Sequence, residues 1–104
     1  MKLADLAYQA GFDLADDPVG TKSVTGFAID HRKVAPGTVF GAFRGAKVNG
    51  EDFIPSAIES GAIAVVARPE ARVEGAFHFA DANPRRAFAL LAAQFFKPVP
   101  DTIV

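Results

Sequence analysis

The sequence predicts an α/β fold, a small mixed β-sheet with helices packed on it, and three observations carry that expectation. Short β-branched and aromatic runs alternate along the chain with segments of helical periodicity. One of those runs, Ala62–Ala67, is apolar at every position, as expected of a strand covered on both faces. The first two strands are joined too tightly for a helical crossover, which suggests an antiparallel pair and hence a mixed sheet.

Each element has its own local signature. Leu3, Leu6, Ala7 and Ala10 recur at helical spacing before Gly11, so a short helix is expected over Lys2–Ala10, with Phe12 turning back onto the core. Asp13–Gly20, with three acids, a proline and a glycine, reads as a loop. From Val24 to Asp30, bulky Thr25, Phe27 and Ile29 alternate with Val24, Gly26 and Ala28, the period-2 pattern of a strand. Pro36-Gly37 marks a turn, and Thr38–Phe43 is a second strand. The basic, glycine-bracketed stretch Arg44–Gly50 feeds a helix over about Glu51–Ser60. Its stripe is Ile54, Ala57 and Ile58, Pro55 falls in its first turn, and Gly61 stops it. After strand Ala62–Ala67 and a charged connection, Ala76–Ala80 is a fourth strand, pairing with the third. Asn83 then offers an N-cap and Pro84 an N1 residue to a helix whose stripe is Phe88, Leu91, Ala92 and Phe95. Lys97-Pro98-Val99-Pro100 is a stiff extended segment leading into Asp101-Thr102-Ile103-Val104. Residues 1–97 are thus expected to form one domain and 98–104 a linker into the first strand of another.

Bulk composition narrows the function classes. Eleven basic and twelve acidic residues leave a formal net charge of −1, so no global field draws the chain to nucleic acid or to an anionic membrane, and neither is expected as a partner. Cysteine is absent, which removes disulfides and thiolate metal sites and makes the cytoplasm the simplest location. The first ten residues lack the apolar core of a signal peptide, and no apolar run approaches the roughly 20 residues of a membrane span. The sequence contains no GxxxxGK[ST] loop, no GxGxxG after a strand, no HExxH and no nucleophile elbow. His31 and His78, without cysteine, make a poor metal set, and His78 reads as a surface or partly buried strand residue.

What remains is a concentration of polar groups in two segments, Asp30–Arg32 and Arg44–Gly50, both at the ends of expected strands, where α/β sheets usually hold ligands. Gly45 and Gly50 allow close backbone approach, free N–H groups can cradle phosphate oxygens, and Arg32, Arg44 and Lys47 supply positive charge. An anionic nucleotide suits this chemistry. The same residues also read as a capped turn beside solvated cations, and spacing alone does not separate the two.

A family resemblance bears on that choice. Asp30-His31-Arg32, Val34-Ala35-Pro36-Gly37-Thr38-Val39-Phe40, Gly45-Ala46-Lys47-Val48-Asn49-Gly50, Asp52-Phe53-Ile54, Ala57-Ile58 and Gly61-Ala62 follow one another in the order and spacing of Mur ligase N-terminal domains. That pattern runs DSR, PGDLF, G-x-x-x-DG and F-x-x-x-A-x-x-x-GA. The resemblance covers about residues 23–104, and within the family the chain is most similar to the tripeptide-forming (MurE-type) branch, with the D-alanyl-D-alanine-adding (MurF-type) branch second. It implies ATP-dependent amide formation on a UDP-N-acetylmuramoyl-peptide, here UDP-N-acetylmuramoyl-L-alanyl-D-glutamate, with meso-diaminopimelate or lysine as the amine. ATP and Mg2+ would belong to the full-length ligase and not to this chain, whose partners would be the substrate and the central and C-terminal domains of the same polypeptide. The family's linker leads into a VTGTNGKT phosphate loop, which implies that this chain is cut short and inactive alone. Carried over by position, Ile29 and His31 match the uridine-contacting residues, Ala46, Lys47 and Val48 match the nucleotide-contacting loop, and Asp30, Arg32, Arg44, Asn49 and Gly50 support them. His31 stands where the family more often has serine, and Asn49 replaces the usual aspartate before Gly50. A stand-alone nucleotide-binding module that has lost the ligase is the alternative from another class.

Overall fold

A computed structural model describes residues 1–12, 14, 17–45 and 49–96. Residues 97–104, which include the expected linker and following strand at 98–104, lie outside them.

The chain runs α1 (Leu3–Gln9), β1 (Gly26–Ala28), β2 (Thr38–Gly41), α2 (Ile54–Glu59), β3 (Ala64–Ala67), β4 (Phe77–Ala80) and α3 (Pro84–Phe95), with 3-10 turns at Pro18–Thr21, His31–Lys33 and Gly50–Phe53. The strands form one sheet in the order β1-β2-β3-β4. The helices and strands expected within residues 1–96 are present, most of them shortened at their ends, and the α/β class holds.

The expectation of a mixed sheet does not. β1 pairs with β2 in parallel, Gly26 opposite Thr38 and Ala28 opposite Phe40, and the other two pairings are parallel as well. The reason is strand length. Strands of three and four residues span only about 10–13 Å at roughly 3.3 Å per residue. The connection through residues 29–37 reaches back over that distance with a single 3-10 turn, and no full crossover helix is required.

Both faces of the sheet are covered, which explains the unbroken apolar run of β3. Ala64 and Val66 face one core with Leu3, Leu6, Val39, Ala87 and Leu91, beneath α1 and α3. Val65 and Ala67 face the other with Phe40, Ile54 and Ala57, beneath α2. Phe12 returns to the first core as its position after α1 suggests: its N–H donates to Ala7 O at 2.8 Å and its ring meets Phe79 edge-on at 5.7 Å.

Helix ends follow local chemistry. Asn83 Oδ1 accepts the Arg86 N–H at the start of α3, with Pro84 in the first turn. At the end of α2, Gly61 adopts φ +115°, and an added Cβ would stand 2.5 Å from Pro36 Cα, so the position demands glycine on both counts.

Candidate functional site

All four strands point the same way, so their carboxyl ends share one edge of the molecule, and the polar segments singled out in the sequence emerge there. Ile29 follows β1 directly. Although aliphatic, it is 61% exposed. With Gly41, Phe43, Gly45, Gly50 and Arg85 it lines a depression of about 180 Å³. Ile29, at the end of the first strand, and Gly45 and Gly50, beyond the second, therefore line one depression, while Asp30, His31 and Arg32 do not.

The Arg44–Gly50 turn is built by backbone bonds. Arg44 and Asn49 form an isolated antiparallel bridge, and the Gly50 N–H donates to Phe43 O at 2.7 Å. Asn49 Oδ1 accepts the Glu51 N–H at 3.0 Å and so caps the Gly50–Phe53 turn, a task aspartate performs equally well. Ala46, Lys47 and Val48, matched to the family's nucleotide loop, lie outside the described residues. Below the turn, Arg68 at the end of β3 clasps Glu51 through two bonds, Nε to Oε2 at 2.6 Å and Nη2 to Oε1 at 3.2 Å. Its guanidinium pKa is raised by that hydrogen-bonded carboxylate. Glu51 is only 12% exposed there. The pair ties the exit of the turn to the sheet edge.

The first turn is organised differently. Asp30 accepts the Arg32 N–H at 2.9 Å and forms a two-bond ion pair with its guanidinium, Nε to Oδ1 at 3.1 Å and Nη2 to Oδ2 at 2.9 Å. Asp30 and Arg32 thus shape the strand end by capping the His31–Lys33 turn, and Arg32 is engaged by a carboxylate. His31 stacks face to face on Phe53, centroids 4.2 Å apart with the planes 2° from parallel, and does not line the depression that Ile29 lines. His78, partly buried, places Nε2 3.1 Å from Arg68 O.

Hydrogen bonds from the Arg32 side chain and backbone hold the Asp30 carboxyl down at about 2, from an ordinary 3.8. Because the folded pKa is the lower one, the unfolded chain binds the proton more tightly, so this group favours folding above pH ~4 and loses that effect as pH falls toward 2. NMR titration of the Asp30 carboxyl is expected to give a midpoint near 2, and Arg32→Ala to return it toward 3.8. A midpoint unmoved by the substitution contradicts the pairing.

Arg85 had no place among the residues read from the sequence. It sits in the first turn of α3 with its guanidinium 4.8 Å from the centroid of the Phe43 ring, a cation–π contact. The signal for it was the Asn83-Pro84-Arg85-Arg86 string itself, a cation placed just inside a helix that starts at a strand's carboxyl end.

A larger depression of about 470 Å³ lies elsewhere, between α2 and the β3–β4 connection, lined by Asp52, Glu70 and Glu74 among others. Its carboxylates repel an anion, so size does not make it the better nucleotide site. Among the described residues no group of three or more histidine, aspartate or glutamate side chains is placed to hold a metal ion, and the sequence has no phosphate-loop motif. The described residues therefore offer ATP and Mg2+ no matching donor set. Among the described residues, no helix is long and apolar enough to cross a membrane.

Comparison with known proteins bears on the family. The family model described as "Mur ligase family, catalytic domain" matches residues 23–96. The chain is 65% identical over 77 residues to the UDP-N-acetylmuramoyl-L-alanyl-D-glutamate--2,6-diaminopimelate ligase of Zymomonas mobilis, covering 74% of this chain and 16% of that protein. It is 45% identical over 104 residues to the ligase of the same name from Bradyrhizobium diazoefficiens, covering 99% and 21%, and 38% identical over 108 residues to that of Rhizobium meliloti, covering 100% and 22%. The chain spans about a fifth of the length of these relatives. With the family model covering most of its length, the chain belongs to the Mur ligase family.

Proposed function

We propose that this chain holds the uridine diphosphate end of UDP-N-acetylmuramoyl-L-alanyl-D-glutamate in an ATP-dependent ligase that adds 2,6-diaminopimelate during peptidoglycan precursor synthesis in the cytoplasm. The substrate and amine are those in the names of the relatives, which favour this branch over the D-alanyl-D-alanine-adding one. One observation supports the assignment to a site: Ile29, Gly45, Gly50 and Arg85 line a single depression at the carboxyl edge of a parallel sheet. In this reading residues 1–97 are the substrate-handle domain, 98–104 lead into an ATP-binding domain, and Ala46, Lys47 and Val48 complete the nucleotide contacts.

The physical role is positioning. A nucleotide gripped far from the reacting carboxylate supplies binding energy that orients the carboxylate for phosphorylation and amine attack in the rest of the polypeptide. His31, stacked on Phe53, sets the wall of the first turn and keeps a ring nitrogen available for hydrogen bonding.

NMR titration of the chain with UDP tests the reading. Weak binding is expected, since contacts from other domains are missing, with shifts clustered at Ile29–Arg32, Phe43–Gly50 and Arg85. Shifts concentrated at the α2 groove of Asp52, Glu70 and Glu74 would place the ligand elsewhere and defeat it.

A further inference from the structure

The depression at Ile29 is too small to hold a nucleotide by itself. At about 180 Å³ it falls below the roughly 300–1,000 Å³ usual for a whole small-molecule ligand. A second depression of about 250 Å³ adjoins it, lined by residues that include Arg44, Glu51, Arg68 and Asn83. Phe43 and Arg85 line both. The two together offer room for a ligand the size of a nucleoside diphosphate, laid over the wall they share.

The two differ in charge. The first is lined by aliphatic, aromatic and glycine residues with one cation, Arg85, at its rim. The second has three guanidinium groups and one carboxylate, and Glu51 is already held by both nitrogens of Arg68. Among the described residues neither Arg44 nor Arg85 has a carboxylate within ion-pairing distance, so two positive charges remain uncompensated. A flat, neutral ring suits the first space and a polyanion the second.

We propose that Arg85 is a ligand-positioning residue: braced on the Phe43 ring, it directs the diphosphate of a pyrimidine nucleoside diphosphate into the Arg44–Arg68 depression while the base occupies the space beside Ile29. This rests on the nucleotide reading above and adds to it a residue and a direction for the ligand. The ring beneath the guanidinium fixes its plane without consuming its donors, leaving the fork free for two phosphate oxygens.

The test compares uridine with UDP as probes of the 104-residue chain, by calorimetry or NMR at low salt, for wild type, Arg85→Ala and Arg85→Lys. Wild type is expected to bind UDP at least about tenfold more tightly than uridine, a floor for two solvent-exposed charge-assisted bonds to phosphate. Arg85→Ala should abolish most of that preference while leaving uridine affinity unchanged. Arg85→Lys should restore it in part, as a point charge without the planar fork. Raising the salt should erode the preference of wild type and not that of Arg85→Ala. If Arg85→Ala keeps the full preference for UDP, or loses uridine and UDP equally, Arg85 does not hold the diphosphate, and the nucleotide reading survives. If wild type binds neither probe, both are overturned. Should the alanine variant fail to fold, the lysine variant and the salt dependence of wild type decide: an undiminished preference in the former, or none to erode in the latter, overturns the proposal.

Discussion

Phe40→Ala is expected to remove about 3–5 kcal/mol of folding stability, the cost of emptying a large, fully buried aromatic site. Phe40 is completely buried in β2 and stands opposite Val65, with Ile54 and Ala57 of α2 in the same core. Four of the other six buried members of that core are alanines, at 42, 57, 62 and 67, and none of these has a longer side chain to swing into the gap. Domains of this size are stable by roughly 5–15 kcal/mol, so the substitution puts a large share of the fold at risk. Denaturant unfolding should show a lower midpoint with an unchanged slope. Tyr8→Ala, at a residue 83% exposed, serves as the control and should stay within about 0.5 kcal/mol. A loss below about 1 kcal/mol at Phe40 would mean that α2 does not close that face. The effect reaches the site, because α2 continues directly from the Gly50–Phe53 turn and its packing holds that turn in place.

Much of this architecture can be read locally. The unalternating Ala62–Ala67 run implies burial on two faces, and Val65 and Val66 do enter opposite cores. Asn83-Pro84 announces the start of α3 because capping is a matter of neighbouring backbone groups. Other features depend on contacts between distant segments, which no local pattern records. The parallel pairing of β1 and β2 depends on how short the strands are, and strand ends are set by partners. The stripe of α3 runs through Phe88 and Phe95, yet Ala87 is more deeply buried than either. The two phenylalanines instead join Phe27 in an aromatic cluster beside the edge strand β1. Periodicity weights large side chains and overlooks a small one at a close approach.

The site divides along the same line. Asp30 and Arg32 lie two residues apart, and their pairing follows from sequence. His31 on Phe53, Arg68 on Glu51 and Arg85 on Phe43 each join separate elements, and the last two define the edge at which the nucleotide is proposed to lie. Glycines and cations at a strand end pointed to the Arg44–Gly50 segment, and resemblance to a family added Ile29; that Arg85 joins them, and that a second depression adjoins the first, required coordinates.

Gly50→Ala should separate binding from folding. Its backbone does not have the left-handed φ that Gly61 has, so alanine is conformationally acceptable there and the obstacle is steric. An added Cβ would stand 2.8 Å from Phe43 N and 2.9 Å from Phe43 O. Those are main-chain atoms just beyond the end of β2 and cannot rotate away as a side chain would. The turn must lift off the strand end, stretching the 2.7 Å bond from the Gly50 N–H to Phe43 O and widening the depression that Gly50 lines. A local overpacking of this kind costs about 1–3 kcal/mol, which leaves most of the chain folded. UDP affinity is expected to fall tenfold or more, because a displacement near 1 Å is enough to spoil bonds made by rigid backbone groups. Gly26→Ala provides the contrast: a Cβ there meets nothing within 4 Å, so neither stability nor binding should fall. If Gly50→Ala binds UDP as wild type does while Phe43 and Gly50 amide shifts show the turn displaced, the nucleotide does not depend on that turn, and the site at this edge of the sheet is wrong.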